Sequence, residues 1–399
     1  MANALREIPR SGRFLIVTWA GGGNVPPALG LGRRLAARGH LVRVLASRRM
    51  QERIEAAGCT FTPYPLDLEF DESKGRAVED QRPFLRSLWC EWPVAQATLA
   101  EVDRDPADAL LVDCYLSNAL SAAERTGLPT AGLLHVRLRH LAETTNPALL
   151  GLDAANEVRA RLGLQPLRSD GERLAVQLLR RCDRVLAVMP QEFEDFGATL
   201  PANVRYVGPV FEGDEGESTW DLPWPSDHPN PLVVVSFSTM YMHHEGPLGR
   251  VITALESLRL RTLLTLGGGL ELDEVDVPAG VVVRRYVPHS VVFPHTALVV
   301  THAGLGTIMA ACTYGVPMVC IPLGRDQRGN AERVETLGLG RMISPEASVE
   351  EVRAAIVAAL DSDAIRTAAR RMAEVVAGYG GGRQAIAELE SLLVSSRST

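Results

Sequence analysis

The seven residues from Thr301 to Thr307, reading THAGLGT, are the chemically most telling stretch of this 399-residue sequence. They follow the apolar run Leu298 to Val300 and lead into a helix expected to begin near Ile308. A strand that turns through glycines into a helix offers free backbone N–H groups and the positive end of the helix dipole, which together seat an anion such as a diphosphate. His302, at the mouth of the turn, can give a hydrogen bond or a proton to a departing phosphate, and Thr307 adds a hydroxyl donor. Gly304 and Gly306 would equally serve a plain tight turn, since short glycine motifs recur without function. A nicotinamide site is excluded, because the third glycine of GxGxxG is missing and no acidic residue closes the next strand in the expected way.

Further on, GVPMVCIPLGRDQRGNAERV (Gly315 to Val334) is an apolar strand running into a polar loop that carries Asp326 and Gln327. At the carboxyl end of a parallel strand this pair would face a ligand crevice, where a carboxylate and an amide can hold sugar hydroxyls. A solvated loop explains most such pairs equally well. His135 and His140 follow an apolar strand, where a histidine can act as a base or merely line a pocket. The acidic triplets Asp103 to Asp105 and Asp361 to Asp363 sit at helix boundaries, where aspartates cap or solvate. His243 and His244 are adjacent and lack ligand spacing, so no metal site is assigned.

Elements able to position these groups alternate along the chain in a strand–helix rhythm, which predicts parallel sheets covered by helices and an α/β class. Strands are expected at Arg13 to Thr18, Leu41 to Ala46, Ala109 to Val112, Thr130 to Leu134, Arg184 to Val188 and Arg205 to Val207, with helices including Pro27 to Arg38 and Ala119 to Thr126. After a stretch rich in Gly, Pro, Asp and Ser, a second series follows: Leu232 to Phe237, Thr262 to Leu266, Val281 to Arg284, Leu298 to Thr301, Met318 to Ile321 and Gly340 to Ile343. The expected domains are 1–208, a linker over 209–231, 232–380, and a closing helix over 381–399 that packs back on the first half. Length alone points to two cores.

With 46% hydrophobic and 22% charged residues the composition is that of a globular protein. A net charge of −7 without a basic cluster argues against nucleic acid or an anionic membrane as partner. The six cysteines show no CxxC spacing and mostly lie in apolar segments, which suits a reducing cytoplasm. No run is long enough to cross a bilayer, and residues 1–12 do not read as a signal peptide.

The order of motifs, with Ser236 to Thr239 after a strand, RRYVPH (Arg284 to His289), THAGLGT, GVPMVCIPL and DQRGNAERV, resembles the donor domain of the family-1 nucleotide-sugar glycosyltransferases, above all the bacterial enzymes that decorate antibiotics and macrolides. The resemblance covers nearly the whole chain. It implies the GT-B architecture, two facing Rossmann-like domains with parallel sheets and a deep interdomain cleft, and inverting, metal-independent transfer of a deoxysugar or other sugar to an apolar polyketide or aromatic acceptor. The nucleotide sugar is then a co-substrate and no cofactor is needed; a homodimer is compatible with it. By resemblance His302, Gly304, Gly306 and Thr307 hold the diphosphate with Ser238 or Thr239, Tyr286 and Val287 line the base pocket, and Asp326 and Gln327 grip the sugar. Where many relatives carry a glutamate that clasps the ribose, this chain has Ala310, which leans towards dTDP over UDP.

In the acceptor half, WAGGGNVPPALGLGRRLAARGHLVRVL (Trp19 to Leu45) resembles the family's opening turn, where a histidine or aspartate takes the acceptor's proton; here the residue is Asn24, and an amide is no base. Asp113 resembles the carboxylate that orients that histidine and could act directly. Trp89, Trp92 and His135 are candidates for the acceptor pocket, although amphipathic helix packing explains Phe84, Leu85, Leu88 and Trp92 equally well. A non-catalytic activator of another transferase, or an epimerase or hydrolase on the same scaffold, are the alternatives.

Overall fold

Short apolar runs such as LVVVS at 232–236, buried on every side chain, form strands because a parallel strand covered on both faces by helices needs no polar alternation. The computed structural model describes residues 11–65, 68, 70, 81–143, 151–169, 173–196, 200–213, 220–225, 227–237, 240–268 and 276–395.

Among these, strands β1 (Arg13–Val17), β2 (Leu41–Ala46), β3 (Thr60–Pro63), β4 (Ala109–Asp113), β5 (Thr130–Leu134), β6 (Arg184–Ala187) and β7 (Val204–Tyr206) make one sheet in the order β3-β2-β1-β4-β5-β6-β7. Strands β8 (Leu232–Ser236), β9 (Arg261–Thr265), β10 (Val281–Arg284), β11 (Leu298–Thr301), β12 (Met318–Cys320) and β13 (Gly340–Met342) make a second, in the order β10-β9-β8-β11-β12-β13. Every pairing is parallel. Both orders reverse beside the first strand of the sheet, and such switch points open a crevice at the strands' carboxyl ends.

Helices α1 (Val25–Ala37), α2 (Gln51–Ala56), α3 (Arg82–Cys90), α4 (Trp92–Arg104), α5 (Ser117–Thr126), α6 (Leu138–Glu143), α7 (Leu152–Arg161) and α8 (Leu174–Leu179) belong to the first series. The second has α9 (Glu245–Glu256), α10 (His289–Val292), α11 (Leu305–Tyr314), α12 (Gln327–Thr336), α13 (Val349–Leu360), α14 (Asp363–Gly378) and α15 (Arg383–Ser395). Helix α15 returns to the first sheet, burying Ala385, Ile386 and Leu389 in one core with Phe14 and Leu35, while Glu390 accepts hydrogen bonds from Arg38.

Strand ends differ from the sequence reading by a residue or so, and β3 was not foreseen. It pairs only with β2 at the sheet edge, and its residues TFTP are half-exposed or exposed, so it lacks the apolar run that marks the others.

Candidate active site

The turn between β11 and α11 is shaped by one contact. A Cβ on Gly304 would stand 2.5 Å from Nε2 of His302, so only glycine lets this imidazole lie across the start of the helix. Gly304 has an ordinary backbone (φ −63°) and serves as the N-cap, without a side-chain cap and with no acidic residue in the first turn. The first intrahelical bond there runs from Ile308 N–H to the Gly304 carbonyl, leaving the earlier N–H groups of the turn available to an anion. Helix α1, which starts at the matching place in the first sheet, has prolines in its first turn and is correspondingly poorer in donors.

His302 is buried against Phe237, and burial pushes its pKa down to about 4, with Asp326 and the Ser236 backbone opposing. It is therefore neutral near pH 7, which makes it a hydrogen-bond donor and not the proton donor that the sequence also allowed. Thr307 is buried in the first turn of α11, and Gly306 faces open space.

Asp326 is the N-cap of α12 and accepts from Asn330 Nδ2 at 2.7 Å; the same amide reaches the Ala303 carbonyl at 3.2 Å, tying the Asp326 loop to the His302 turn. Asn330 escaped the sequence reading, although its place four residues after Asp326 on a helix was a usable signal. Gln327 departs from expectation. Its Oε1 already accepts from Leu323 N–H and Gly324 N–H, and its Nε2 meets Met242 Sδ at 3.2 Å, so the side chain braces the loop and has little left for a sugar. Among the described residues, the non-glycine positions with left-handed backbone are His243, Ala303 and Arg325. Two of them lie in the turns bearing His302 and Asp326, a concentration of strain typical of functional sites.

Tyr286 is 71% exposed and free to offer a ring face, near the Arg53–Glu212 ion pair. Val287 is a correction: it is buried in the core with Val292, Phe293 and Ala310, so only its backbone can meet a base. Ser238 and Thr239 lie outside the described residues.

On the first sheet, Asn24, Asp113 and His135 come together although 89 and 22 residues separate the bonded pairs. Asn24 Nδ2 lies 2.8 Å from Asp113 Oδ2, 2.7 Å from the Trp19 carbonyl and 3.1 Å from Thr18 Oγ1, while its Oδ1 accepts from Gly21 N–H. The other carboxylate oxygen, Oδ1, accepts from His135 Nε2 at 3.1 Å and from Tyr115 N–H at 3.0 Å. Burial alone would lower the His135 pKa, but Cys114 and Asp113 outweigh it and raise the value well above the usual range. Asp113, Cys114 and His135 are also a candidate metal trio, their ligand atoms lying within 4.8 Å of one another; both carboxylate oxygens are, however, already engaged by protein donors.

Trp89 stacks on Tyr115 (5.1 Å, 17°) and meets Trp19 edge-on at 5.2 Å, and Tyr115 stands 5.5 Å from His135. The indole N–H groups of Trp19 and Trp89 are buried without a partner. Tyr115 and His140 both feel the charge of Asp326, which brings this aromatic wall close to the loop that carries Asp326. Trp92 does not join it. It begins α4 and packs on the far side with Ala95, Val158 and Leu162, under Arg161 at 5.6 Å, so helix packing accounts for it. A hollow of about 560 Å³ near Leu258, Pro317 and Arg370 lies instead at the opposite, amino-terminal edge of the second sheet.

Residues 249–389 match the family model described as Erythromycin biosynthesis protein CIII-like, C-terminal domain. Over 93% of its length the chain is 30% identical to demethyllactenocin mycarosyltransferase of Streptomyces fradiae, covering 84% of that protein. The glycotransferase of kitacinnamycin superposes with a TM-score of 0.77 at 21% identity, covering 96% of this chain and 99% of that one. A crystal structure of the glycosyltransferase VinC in complex with dTDP gives 0.70 at 17% identity, over 96% and 100%. No described helix is long and apolar enough to cross a membrane. Two parallel-sheet Rossmann-like halves and this kinship over nearly the full chain lead to one conclusion: the chain belongs to the GT-B nucleotide-sugar glycosyltransferases of antibiotic and macrolide type.

Proposed function

We propose that the chain transfers a sugar with inversion, and without a metal ion, from a dTDP-sugar to an apolar secondary-metabolite acceptor such as a polyketide or aromatic aglycone. The observation that carries this reading is the uncapped N-terminus of α11 with His302 Nε2 lying over Gly304, which suits it to receive the charge of a leaving diphosphate. In an in-line displacement the acceptor attacks the anomeric carbon, and the bond to the diphosphate breaks with its electron pair leaving on phosphate oxygen. Asp326 is within reach of sugar hydroxyls at the end of the same turn system.

The preference for thymidine rests on Ala310, buried at 1% in an apolar wall, which offers nothing polar to a ribose 2′-hydroxyl. VinC, solved with dTDP, is a structural neighbour in keeping with it. Calorimetric titration without added metal should show dTDP binding about tenfold more tightly than UDP, roughly the cost of burying a 2′-hydroxyl without a partner. Equal or tighter UDP binding would overturn the thymidine preference. Binding of neither would overturn the donor site and favour an activator of another transferase.

The acceptor reading rests on the Trp19–Trp89–Tyr115 wall, whose stacked and edge-on rings suit an apolar acceptor. Trp89→Ala removes one ring from the wall, so the acceptor KM should rise about fivefold, the worth of one aromatic contact. Trp92→Ala should leave it unchanged. Steady-state kinetics at saturating donor measure both, and the reverse pattern would move the pocket to the other side of α3.

A further inference from the structure

Asn24 stands where a proton acceptor is expected, yet its surroundings leave it no such role. Three oxygens crowd its two amide hydrogens, and its carbonyl is held by Gly21 N–H. The geometry fixes the amide the right way round, because a carboxylate and a backbone carbonyl can only accept. Asn24 therefore clamps one oxygen of Asp113 and leaves the other to His135.

We propose that His135 is the catalytic base of this enzyme, with Asp113 and Asn24 positioning it. This inference rests on the transferase reading above. An ionised Asp113 has no proton to give, so the 3.1 Å contact is a hydrogen bond from His135 Nε2–H to Oδ1. The neutral imidazole must then carry its lone pair on Nδ1, the nitrogen that the carboxylate does not occupy. This is the arrangement of a base oriented by a buried carboxylate, with the imidazole supplied from the end of β5 and not from the turn after β1.

Tyr115, 5.5 Å from the ring, links the histidine to the aromatic wall and feels Asp326 beyond it. In the step itself, a bond forms between the acceptor oxygen and the anomeric carbon as the bond to the diphosphate breaks. The acceptor's proton passes to Nδ1, and Asp113 stabilises the resulting imidazolium. The charged or titratable groups facing the ring are Asp113 and Cys114, with the Tyr115 ring beside them. On the donor side His302 and His289 are pushed down to about 4 by burial, and in the acceptor half burial also lowers His140 of α6. A limb above the ordinary imidazole range is the signature expected of His135 held by Asp113.

The test uses the full chain with dTDP-glucose and two acceptors of different acidity, a macrolactone secondary alcohol and 4-nitrophenol. His135→Gln retains an amide N–H for Asp113 but cannot take a proton. Turnover of the alcohol should fall about a hundredfold, the usual worth of a general base. The acidic phenol should lose far less, and dTDP affinity should stay within twofold. In the wild type, kcat/KM for the alcohol should rise with pH through a limb above about 6.5, and the variant should lack it. Equal turnover in wild type and variant, or equal loss for both acceptors, would overturn the role of His135. If the variant does not fold, a wild-type profile flat between pH 6 and 8.5 would do the same. Unaltered dTDP binding beside such a result would leave the donor reading standing, whereas loss of dTDP binding in the wild type would remove that reading itself.

Discussion

His302→Ala should lower kcat by about 10²–10³-fold, the typical loss when one preorganised donor to a developing oxyanion is removed. The imidazole is buried, lies over the N-cap of α11 and is neutral near pH 7, so its contribution is an aimed N–H and not a charge or a proton. Its effect should concentrate in kcat, because charge on the leaving phosphate grows towards the transition state. His302→Gln, which keeps an N–H without a titrating ring, should recover a large part of the loss. A fully active His302→Ala would end the assignment of this turn to the leaving group, and a Gln variant as poor as Ala would show that the ring does more than donate.

Gly304→Ala should come close to the same defect without touching a functional group. The glycine's φ of −63° suits any residue, so backbone strain is not at issue. The added methyl would stand 2.5 Å from Nε2 and 2.9 Å from Cε1 of His302, and the ring must swing off the helix N-terminus to make room. We expect a stable protein with kcat reduced by about 10²-fold, comparable to loss of the donor. The double variant with His302→Ala should be little worse than either single one, since both remove the same interaction. Full additivity of the two losses in steady-state kinetics would show that the methyl acts elsewhere.

The turn from β11 into α11 was legible in the sequence because its parts are local: a buried strand, two glycines, a histidine and a helix start within ten residues. Fully buried strands such as β8 and β11 were legible as apolar runs, while β3, edge-placed and exposed, was not. The acceptor side was legible only in part. Asn24, Asp113 and His135 could each be named, but which oxygen of Asp113 each residue takes is decided by the packing of three loops far apart in the chain. Gln327 and Val287 show the converse limit. Both were named from their place in a motif, yet backbone N–H groups claim the one and core packing the other. Trp92 had two equal explanations, and the break between α3 and α4 at Glu91 turned it to the far side.

His135 is followed two residues later by Arg137, whose guanidinium donates to the carbonyl of Gly329 in α12 and pairs with Asp195. From the other direction, Arg333 of α12 donates to the backbone carbonyls of Glu192 and Glu194. Several of these stitches end on main-chain oxygens, which every residue type provides. The three bonds to main-chain oxygens are thus indifferent to the side chains of the accepting half, whereas Tyr379 donating to the Glu192 carboxylate, and Phe193 packed in the core of the second half, are not. A hybrid joined at this seam would keep the arginine stitches with any partner half, but would need Tyr379 and the residues packed around Phe193 to travel with it.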